Sequence, residues 1–174
     1  MKVMYQDSKS DIWYVVALES EFYNKSVNIL YTGVGLVDAA MSVQWLLDHY
    51  KVGKVINLGT CASRHKFSTG TVVNPVAVEL RDGWNGESQS VYSTGEEIGL
   101  VLGSGNSFVT DWKKVGKNIT LVDMEAWAIC RVCDKNGVPY EIIKYVSDSG
   151  DEGEWEKSLK HANKEFNKMV KRWK

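Results

Sequence analysis

Short apolar runs alternate with segments of helical periodicity along the whole chain. Runs rich in Val, Ile, Leu or Tyr predict strands at residues 11–18, 27–31, 54–58, 71–80, 98–103, 118–122 and 140–146. Apolar residues at helical spacing predict helices at residues 37–50, 124–135 and about 154–173. The last of these segments begins with acidic residues and ends with basic ones, which is the order that the helix dipole favours.

Several of the predicted strands are apolar throughout rather than at alternate positions. This pattern is typical of strands that are buried on both faces, and helices that alternate with strands along a chain cover a sheet in that way. The sequence therefore predicts an α/β sandwich. No repeat or flexible linker divides the chain, so we expect residues 1–174 to form a single domain.

The composition narrows the classes of function. The chain has 21 basic and 22 acidic residues and a net charge of −1, so no overall positive field is available to attract nucleic acid. The longest apolar run, at residues 12–18, is too short to cross a bilayer, and residues 1–11 are too polar for a secretory signal. The 3 cysteines lack the spacing of a disulfide framework, which fits a reducing compartment. We expect a cytoplasmic protein that binds neither nucleic acid nor membranes.

Two glycine-containing segments follow predicted strands. The first, YTGVGLVD at residues 31–38, leads into a helix, where backbone N–H groups can face a ligand. It is not a dinucleotide fingerprint, because Asp38 occupies the place of the third glycine. The second, NLGTCAS at residues 57–63, carries Thr60 and Ser63, which can hold a water molecule or an anion. Ordinary turns explain both segments equally well.

Asp123 and Glu125 flank Met124 where a predicted strand leads into a helix. An N-cap role explains Asp123. Glu125 falls in the first turn of a helix that follows a buried strand, and such a turn points into the crevice where ligands bind. We expect the helix dipole to keep this carboxylate ionised, as a good acceptor for a pair of sugar hydroxyls.

Asp148 ends an apolar strand and begins an acid-rich turn. Burial at such a position favours the protonated form of a carboxyl, which can then serve as a general acid. Asp151 and Glu152 fit the N-terminal charge of the last helix, and the spacing of the acids matches no calcium loop. Cys130 and Cys133 lie within a helical run, where packing explains them better than zinc binding. We therefore expect no metal site.

Four stretches, in this order, resemble the purine nucleoside phosphorylase and nucleosidase superfamily, and within it the 5′-methylthioadenosine/S-adenosylhomocysteine nucleosidases. They are ALESE at residues 17–21, TGVGLV at 32–37, INLGTCA at 56–62, and VDME at 122–125 followed by SD at 147–148. The last pair is the most specific, because both the motifs and the distance between them agree. The resemblance implies a three-layer α/β/α sandwich with a mixed central sheet, and an enzyme that needs no cofactor.

The resemblance also implies an activity, which is hydrolysis of the N-glycosidic bond of a purine nucleoside, an adenosine derivative. It implies that Glu21 is the base that activates water and that Asp148 protonates N7 of the purine. This division of labour matches inverting sugar hydrolysis, in which one carboxyl protonates the leaving group and another activates water. The remaining implied contacts are Glu125 to the ribose hydroxyls, Met124 beneath the sugar, Phe108 stacked on the base, the Val109 backbone at the base edge, and Thr60 at the water.

Alternatives stay open. Phosphorylases of the superfamily carry an arginine where this chain has Asn57, which favours hydrolysis, but Arg64 lies nearby in sequence and could bind phosphate.

About five residues separate Glu21 from Val27, where the family has a helix and a strand. Glu19 is therefore an alternative base, and a nucleoside-binding protein without turnover is an alternative function. The resemblance also implies a homodimer.

Overall fold

The computed structural model describes residues 1–7, 9–64, 67–82, 91–92 and 97–173. Within these residues ten strands form one sheet. The strands are β1 (Lys2–Met4), β2 (Ile12–Val16), β3 (Asn28–Tyr31), β4 (Lys54–Ser63), β5 (Val72–Val73), β6 (Pro75–Leu80), β7 (Val91–Tyr92), β8 (Glu97–Ser104), β9 (Leu121–Asp123) and β10 (Tyr140–Asp148). The helices are α1 (Leu36–His49), α2 (Ala126–Lys135) and α3 (Glu152–Arg172), with a short 3-10 helix at Trp112–Lys114.

The central sheet is mixed. Its strand order is β1-β3-β2-β4-β9-β8-β6-β7, and β10 pairs with β4 and β5 beside this path. The β2, β3, β4 and β10 strands are parallel to one another, and so are β6, β8 and β9. The two groups meet where β9 pairs antiparallel with the end of β4.

Helices cover both faces of the sheet. On one face α1 and α2 contribute Leu46 and Ile129 to a buried cluster around Val55. On the other face α3 contributes Phe166 to a cluster that includes Leu58. The expected three-layer α/β/α sandwich is therefore confirmed. This arrangement leaves the carboxyl ends of β2, β4 and β10 at a common edge, because these strands are parallel.

Two predicted strands have different bounds in the structure. The strand predicted at residues 54–58 continues to Ser63, because residues 55–62 pair with β10 and its last residues pair with β9. Thr60 therefore lies within a strand rather than in a turn. The strand predicted at residues 71–80 is divided at Asn74, since β5 pairs with β10 whereas β6 pairs with β8.

The start of α2 also differs from the prediction. Asp123 is the last residue of β9, where it pairs with Ser104, so the predicted N-cap belongs to the sheet. Glu125 is the N-cap residue instead of a first-turn residue, and its side chain makes no capping hydrogen bond. The side chain of Asp123 still accepts a hydrogen bond from the Ala126 N–H at 2.9 Å. The short strands β1 and β7 were not predicted.

Candidate active site

A cavity lies at the edge of the sheet where β2 and β10 end beside the second half of β4. Ligands in open α/β sheets bind at such carboxyl ends. The described residues that line it are Ala17, Leu18, Glu21, Val34, Thr60, Cys61, Ala62, Ser107, Phe108, Val109, Val122, Asp123, Met124, Glu125, Ser147, Asp148, Glu152 and Trp155. The structure thus brings together every residue that the sequence analysis placed in a nucleoside site.

Glu21 follows the end of β2 and is 4% exposed. Its Oε1 atom accepts hydrogen bonds from the Thr60 N–H at 2.9 Å and from the Thr60 hydroxyl at 2.7 Å. Its Oε2 atom accepts a hydrogen bond from the Leu18 N–H at 3.2 Å. A carboxylate with these donors is fixed in position, because rotation of its side chain would break all of the hydrogen bonds.

Glu19 lies outside the cavity. Its side chain is exposed and forms an ion pair with Lys2. The geometry therefore brings Glu21 to the cavity, although only about five residues connect it to the next strand. A turn directly after β2 places Glu21 there, since the Glu21 N–H donates to the Leu18 carbonyl at 3.1 Å.

Asp148 is the last residue of β10 and is 3% exposed. Its Oδ1 atom accepts a hydrogen bond from the Gly150 N–H at 2.8 Å, and its Oδ2 atom lies 2.7 Å from the Ser147 hydroxyl. The same hydroxyl lies 3.1 Å from the Cys61 carbonyl oxygen. A serine hydroxyl carries one proton, so it cannot donate fully to both acceptors. The shorter contact makes Asp148 Oδ2 the main acceptor of the Ser147 hydroxyl, so each carboxyl oxygen of Asp148 has a donor.

Glu125 is 8% exposed, and its Oε1 atom accepts a hydrogen bond from the Gly35 N–H at 2.9 Å. The glycine turn thus contacts the site through its backbone. Gly35 has φ of 103°, a left-handed conformation that side chains rarely adopt. Burial, followed by the charge of Asp123, raises the pKa of Glu125 to about 8, although the charge of Lys144 and the Gly35 N–H act in the opposite direction. The expectation of a carboxylate kept ionised by the helix dipole is therefore wrong at neutral pH, because desolvation outweighs the dipole.

A buried ion pair lies behind Glu125. Lys144 Nζ is 2.8 Å from Asp123 Oδ2, and both side chains are 1% exposed. The hydroxyl of Ser104 donates to Asp123 Oδ1 and accepts a hydrogen bond from the Trp127 N–H. Burial by itself lowers the pKa of Lys144, but the charge of Asp123, followed by that of Glu125, outweighs burial and raises it. The ammonium group therefore keeps its charge among the carboxyls.

Sequence reasoning missed Lys144, Ser104 and Trp155. One signal for Lys144 was available, since a single lysine within the apolar run of residues 142–146 must be buried and must find an acidic partner. No comparable signal marked Ser104. Trp155 lies in α3, where an aromatic residue at helical spacing indicates packing, yet its indole lines the cavity.

Phe108 and Val109 lie on the segment that follows β8. Phe108 is 40% exposed at the cavity, whereas Val109 is buried at 7%. Neighbouring side chains hold the segment in place: Arg81 donates to the Ser107 carbonyl oxygen, and the Asn106 side chain accepts a hydrogen bond from the Leu36 N–H at 3.0 Å. The segment that carries the Phe108 ring at the wall of the cavity is therefore hydrogen-bonded to the start of α1.

Among the described lining residues are several carboxyl groups, and no lysine or arginine. Arg64, the residue that could have bound phosphate, donates instead to the carbonyl oxygens of Trp112 and Val115 at 2.9 and 2.8 Å. Its guanidinium also lies 5.2 Å from the centre of the Trp112 ring. These contacts hold the 3-10 helix and leave a phosphate dianion without a bidentate partner.

The cavity also includes the thiol-bearing residue Cys61, which is 3% exposed. Burial raises the pKa of the Cys61 thiol far above its ordinary value, so the thiol stays protonated and is a poor nucleophile.

In the residues that the structure describes, no group of His, Cys, Asp and Glu side chains is arranged to hold a metal ion. None of the described helices combines the length and hydropathy that a bilayer crossing requires.

Known proteins share both the sequence pattern and the fold. The family model described as "Phosphorylase superfamily" matches residues 18–98 and 89–173. A 5′-methylthioadenosine/S-adenosylhomocysteine nucleosidase of Bacillus cereus (strain G9842) is 31% identical over 156 residues, which cover 70% of this chain and 68% of that protein. A nucleosidase of the same name from Bacillus thuringiensis (strain Al Hakam) gives the same identity and coverage.

Two solved structures show the same fold. The S-adenosylhomocysteine nucleosidase of Streptococcus pyogenes, in complex with 5-methylthiotubericidin, has a TM-score of 0.77 and 19% identity, and the match covers 91% of this chain and 93% of that one. The 5′-methylthioadenosine/S-adenosylhomocysteine nucleosidase of Neisseria meningitidis, in complex with methylthio-immucillin-A, has a TM-score of 0.73 and 21% identity, with 87% and 92% covered. This chain belongs to the phosphorylase superfamily, and within it to the family of the 5′-methylthioadenosine/S-adenosylhomocysteine nucleosidases.

Proposed function

We propose that this protein hydrolyses the N-glycosidic bond of 5′-substituted adenosines, with methylthioadenosine and S-adenosylhomocysteine as substrates, and releases adenine. The observation that carries the proposal is that Glu21, Glu125 and Asp148 lie at the ends of different elements and line one cavity. The family supports the substrate class, since its relatives carry the names of these two nucleosides.

Asp148 is the general acid in this proposal. An adenine anion is a poor leaving group, so the bond to the sugar breaks when the purine takes up a proton at N7. The Ser147 hydroxyl and the Gly150 N–H each contact one carboxyl oxygen of Asp148, so the carboxyl keeps one orientation in the cavity. This orientation fixes the direction from which Asp148 gives a proton to N7.

Glu21 is the general base. As the C–N bond lengthens, the sugar becomes oxocarbenium-like, and the oxygen of a water molecule forms the new bond to C1′. The electron pair of the broken bond goes to the purine, the proton of Asp148 goes to N7, and a proton of the water goes to Glu21. Exchange with solvent after product release restores both carboxyls. Thr60, which donates twice to Glu21, fixes the base beside the water.

Glu125 binds the ribose hydroxyls. Its Oε1 atom is occupied by the Gly35 N–H, which leaves Oε2 for the sugar. The pKa of Glu125, raised to about 8, favours the protonated carboxyl at neutral pH, which can both donate to one hydroxyl and accept from another. Met124 lies beside it as an apolar surface for the sugar ring, and Phe108 stacks on the base while the Val109 backbone contacts the base edge.

Hydrolysis is favoured over phosphorolysis by the charge of the cavity. The described lining residues offer carboxyls and no cation, and Arg64 is engaged by backbone carbonyls. A phosphate dianion at this place would be repelled and would lack the charged hydrogen bonds that phosphate sites provide. Water, a neutral nucleophile, meets neither obstacle.

We also propose that the protein acts as a homodimer in a reducing, cytoplasmic compartment. Val34, two residues before α1, and Val37 and Met41, within α1, are 46%, 65% and 68% exposed, and Val34 also lines the cavity. A second copy on this face would bury these side chains and close the cavity mouth. Sedimentation should give a dimer that Met41→Asp converts to a monomer, and a monomeric parent chain would reject the dimer.

The free buried cysteines support the reducing compartment.

A substrate panel tests the proposed activity. Methylthioadenosine, S-adenosylhomocysteine, adenosine and inosine are each incubated with the protein, and free base is measured by chromatography. We expect adenine from the two 5′-thio nucleosides and a loss of its release in Glu21→Gln. Binding of these nucleosides without release of base, and without an effect of Glu21→Gln, would support the nucleoside-binding alternative instead.

A further inference from the structure

Trp155 makes a contact that links α3 to the proposed base. It lies near the start of the helix, and its indole lines the cavity. The indole Nε1 atom lies 3.0 Å from the Thr60 hydroxyl oxygen, which in turn lies 2.7 Å from Glu21 Oε1. These atoms form a chain of hydrogen bonds from the helix to the carboxylate.

The chemistry of the groups fixes the direction of this chain. An indole N–H can only donate, so the oxygen of Thr60 must accept from Trp155. The hydroxyl has a single proton, and an ionised carboxylate can only accept, so that proton belongs to Glu21. Trp155 thus holds the Thr60 hydroxyl in the one orientation that serves the base. Successive hydrogen bonds of this kind also strengthen one another.

The two carboxyl oxygens of Glu21 differ in the number of hydrogen bonds that they accept. Oε1 already accepts from both the N–H and the hydroxyl of Thr60, which uses the two lone pairs of that atom. Among the described residues, the Leu18 N–H at 3.2 Å is the donor to Oε2, which keeps acceptor capacity. Oε2 is therefore the atom of Glu21 that can take a proton from water.

Trp155 is itself held firmly. Asp151 caps α3 by accepting a hydrogen bond from the Glu154 N–H at 2.8 Å, and the Trp155 N–H donates to the Asp151 carbonyl at 3.1 Å. The hydroxyl of Ser158 donates to the Trp155 carbonyl at 2.7 Å. Asp148 lies one short turn before this helix start, so a single segment carries both the proposed acid and the support of the base.

We propose that Trp155 is a positioning residue, which acts through the Thr60 hydroxyl to orient Glu21 so that Oε2 receives the proton of the attacking water. This inference rests on the proposed function, because it assigns a role within that hydrolysis. Trp155 is linked to the Glu21 carboxylate through the Thr60 hydroxyl. The effects on kcat of substitutions at Trp155 and at Thr60 should therefore depend on each other.

A double-mutant cycle tests the coupling. Trp155→Phe keeps a ring but removes the N–H donor, and Thr60→Val keeps the shape but removes the hydroxyl. We expect Trp155→Phe to lower kcat roughly two- to tenfold, the value of one hydrogen bond, with little change in KM. In the Thr60→Val background the same substitution should leave kcat unchanged, because the intermediary is already lost. Trp155→His, which restores a ring N–H, should recover part of the lost kcat.

Controls separate this role from packing. Trp173→Phe, at the other end of the same helix, should leave kcat and KM unchanged, and thermal unfolding shows whether each variant is folded. If Trp155→Phe folds poorly, Trp155→Leu serves in the same cycle. Equal losses of kcat in both backgrounds, a rise of KM alone, or no effect in the parent background would each overturn the role of Trp155. A parent protein that releases no base would overturn the proposed function and this inference together.

Discussion

The ammonium group of Lys144 lies 2.8 Å from the carboxylate of Asp123, and both side chains are almost fully buried beneath the cavity. Asp123 also receives the Ala126 N–H and the Ser104 hydroxyl, so the pair joins β10, β9, β8 and the start of α2. The floor of the cavity therefore contains a buried pair of opposite charges, and the attraction between them offsets part of the cost of their desolvation.

Lys144→Met should destabilise the protein strongly, because it leaves the Asp123 carboxylate buried without its partner. We expect the free energy of unfolding to fall by about 3–5 kcal/mol, measured by urea denaturation. Lys54→Met is the matched control, since Lys54 pairs with Glu141 at 2.7 Å but is 37% exposed, and it should cost less than about 1 kcal/mol. Equally small losses in both variants would contradict the buried pairing.

Asp148→Asn should lower kcat by roughly two to four orders of magnitude, because the amide cannot give a proton to the purine. The nucleoside should still bind, since the other contacts remain, and calorimetric titration would measure this. Asp134→Asn, at an exposed position on α2, is the control and should leave kcat unchanged. Turnover of Asp148→Asn at the parental rate would reject Asp148 as the acid.

Stability should depend on the ionisation of Glu125. The pKa of this carboxyl is raised from 4.5 to about 8 in the folded protein, so its protonated form favours the folded state. Its contribution to the free energy of unfolding is fully present below pH 4.5 and is lost as the pH rises through about 8. Glu125→Gln removes this titration. Between about pH 5 and about pH 8.5 the free energy of unfolding of the variant should gain on the order of 4 kcal/mol relative to that of the parent. Urea unfolding at the two pH values measures the difference, and a difference that does not change with pH would contradict the raised pKa.

Phe108→Ala should weaken substrate binding more than the chemical step. Stacking of a base on an aromatic ring contributes about 1–3 kcal/mol, so we expect KM to rise roughly tenfold while kcat changes less. Phe108→Tyr keeps the stacking surface and should retain the parental KM. Steady-state kinetics on both variants checks this, and an unchanged KM in Phe108→Ala would remove the ring from the base site.

The apolar pattern of the sequence predicted the layers of the fold, whereas the members of the site were predicted from the resemblance of its motifs to a known family. Continuous apolar runs identified buried strands, and the motifs around Glu125 and Asp148 identified the cavity residues. It could not give the end of β4, because pairing with β9 and β10 extends that strand through Thr60. Such pairing joins residues far apart in the chain, and local propensity does not report it.

Electrostatics inside the site was less predictable than its membership. The helix dipole suggested an ionised Glu125, whereas burial and the neighbouring Asp123 favour its protonated form. The number of donors around a carboxyl is set by three-dimensional packing, and so are the hydrogen bonds from Trp155 to Thr60 and from Gly35 to Glu125. Residue type and spacing alone do not contain this information.

The most direct test of the account is the rate of adenine release from methylthioadenosine in phosphate-free buffer and again with phosphate added. The account predicts the same rate in both, with an unphosphorylated sugar as the second product, because the described lining residues provide carboxyls for water and no cation for phosphate. A rate that requires phosphate, with a sugar phosphate as product, would contradict it.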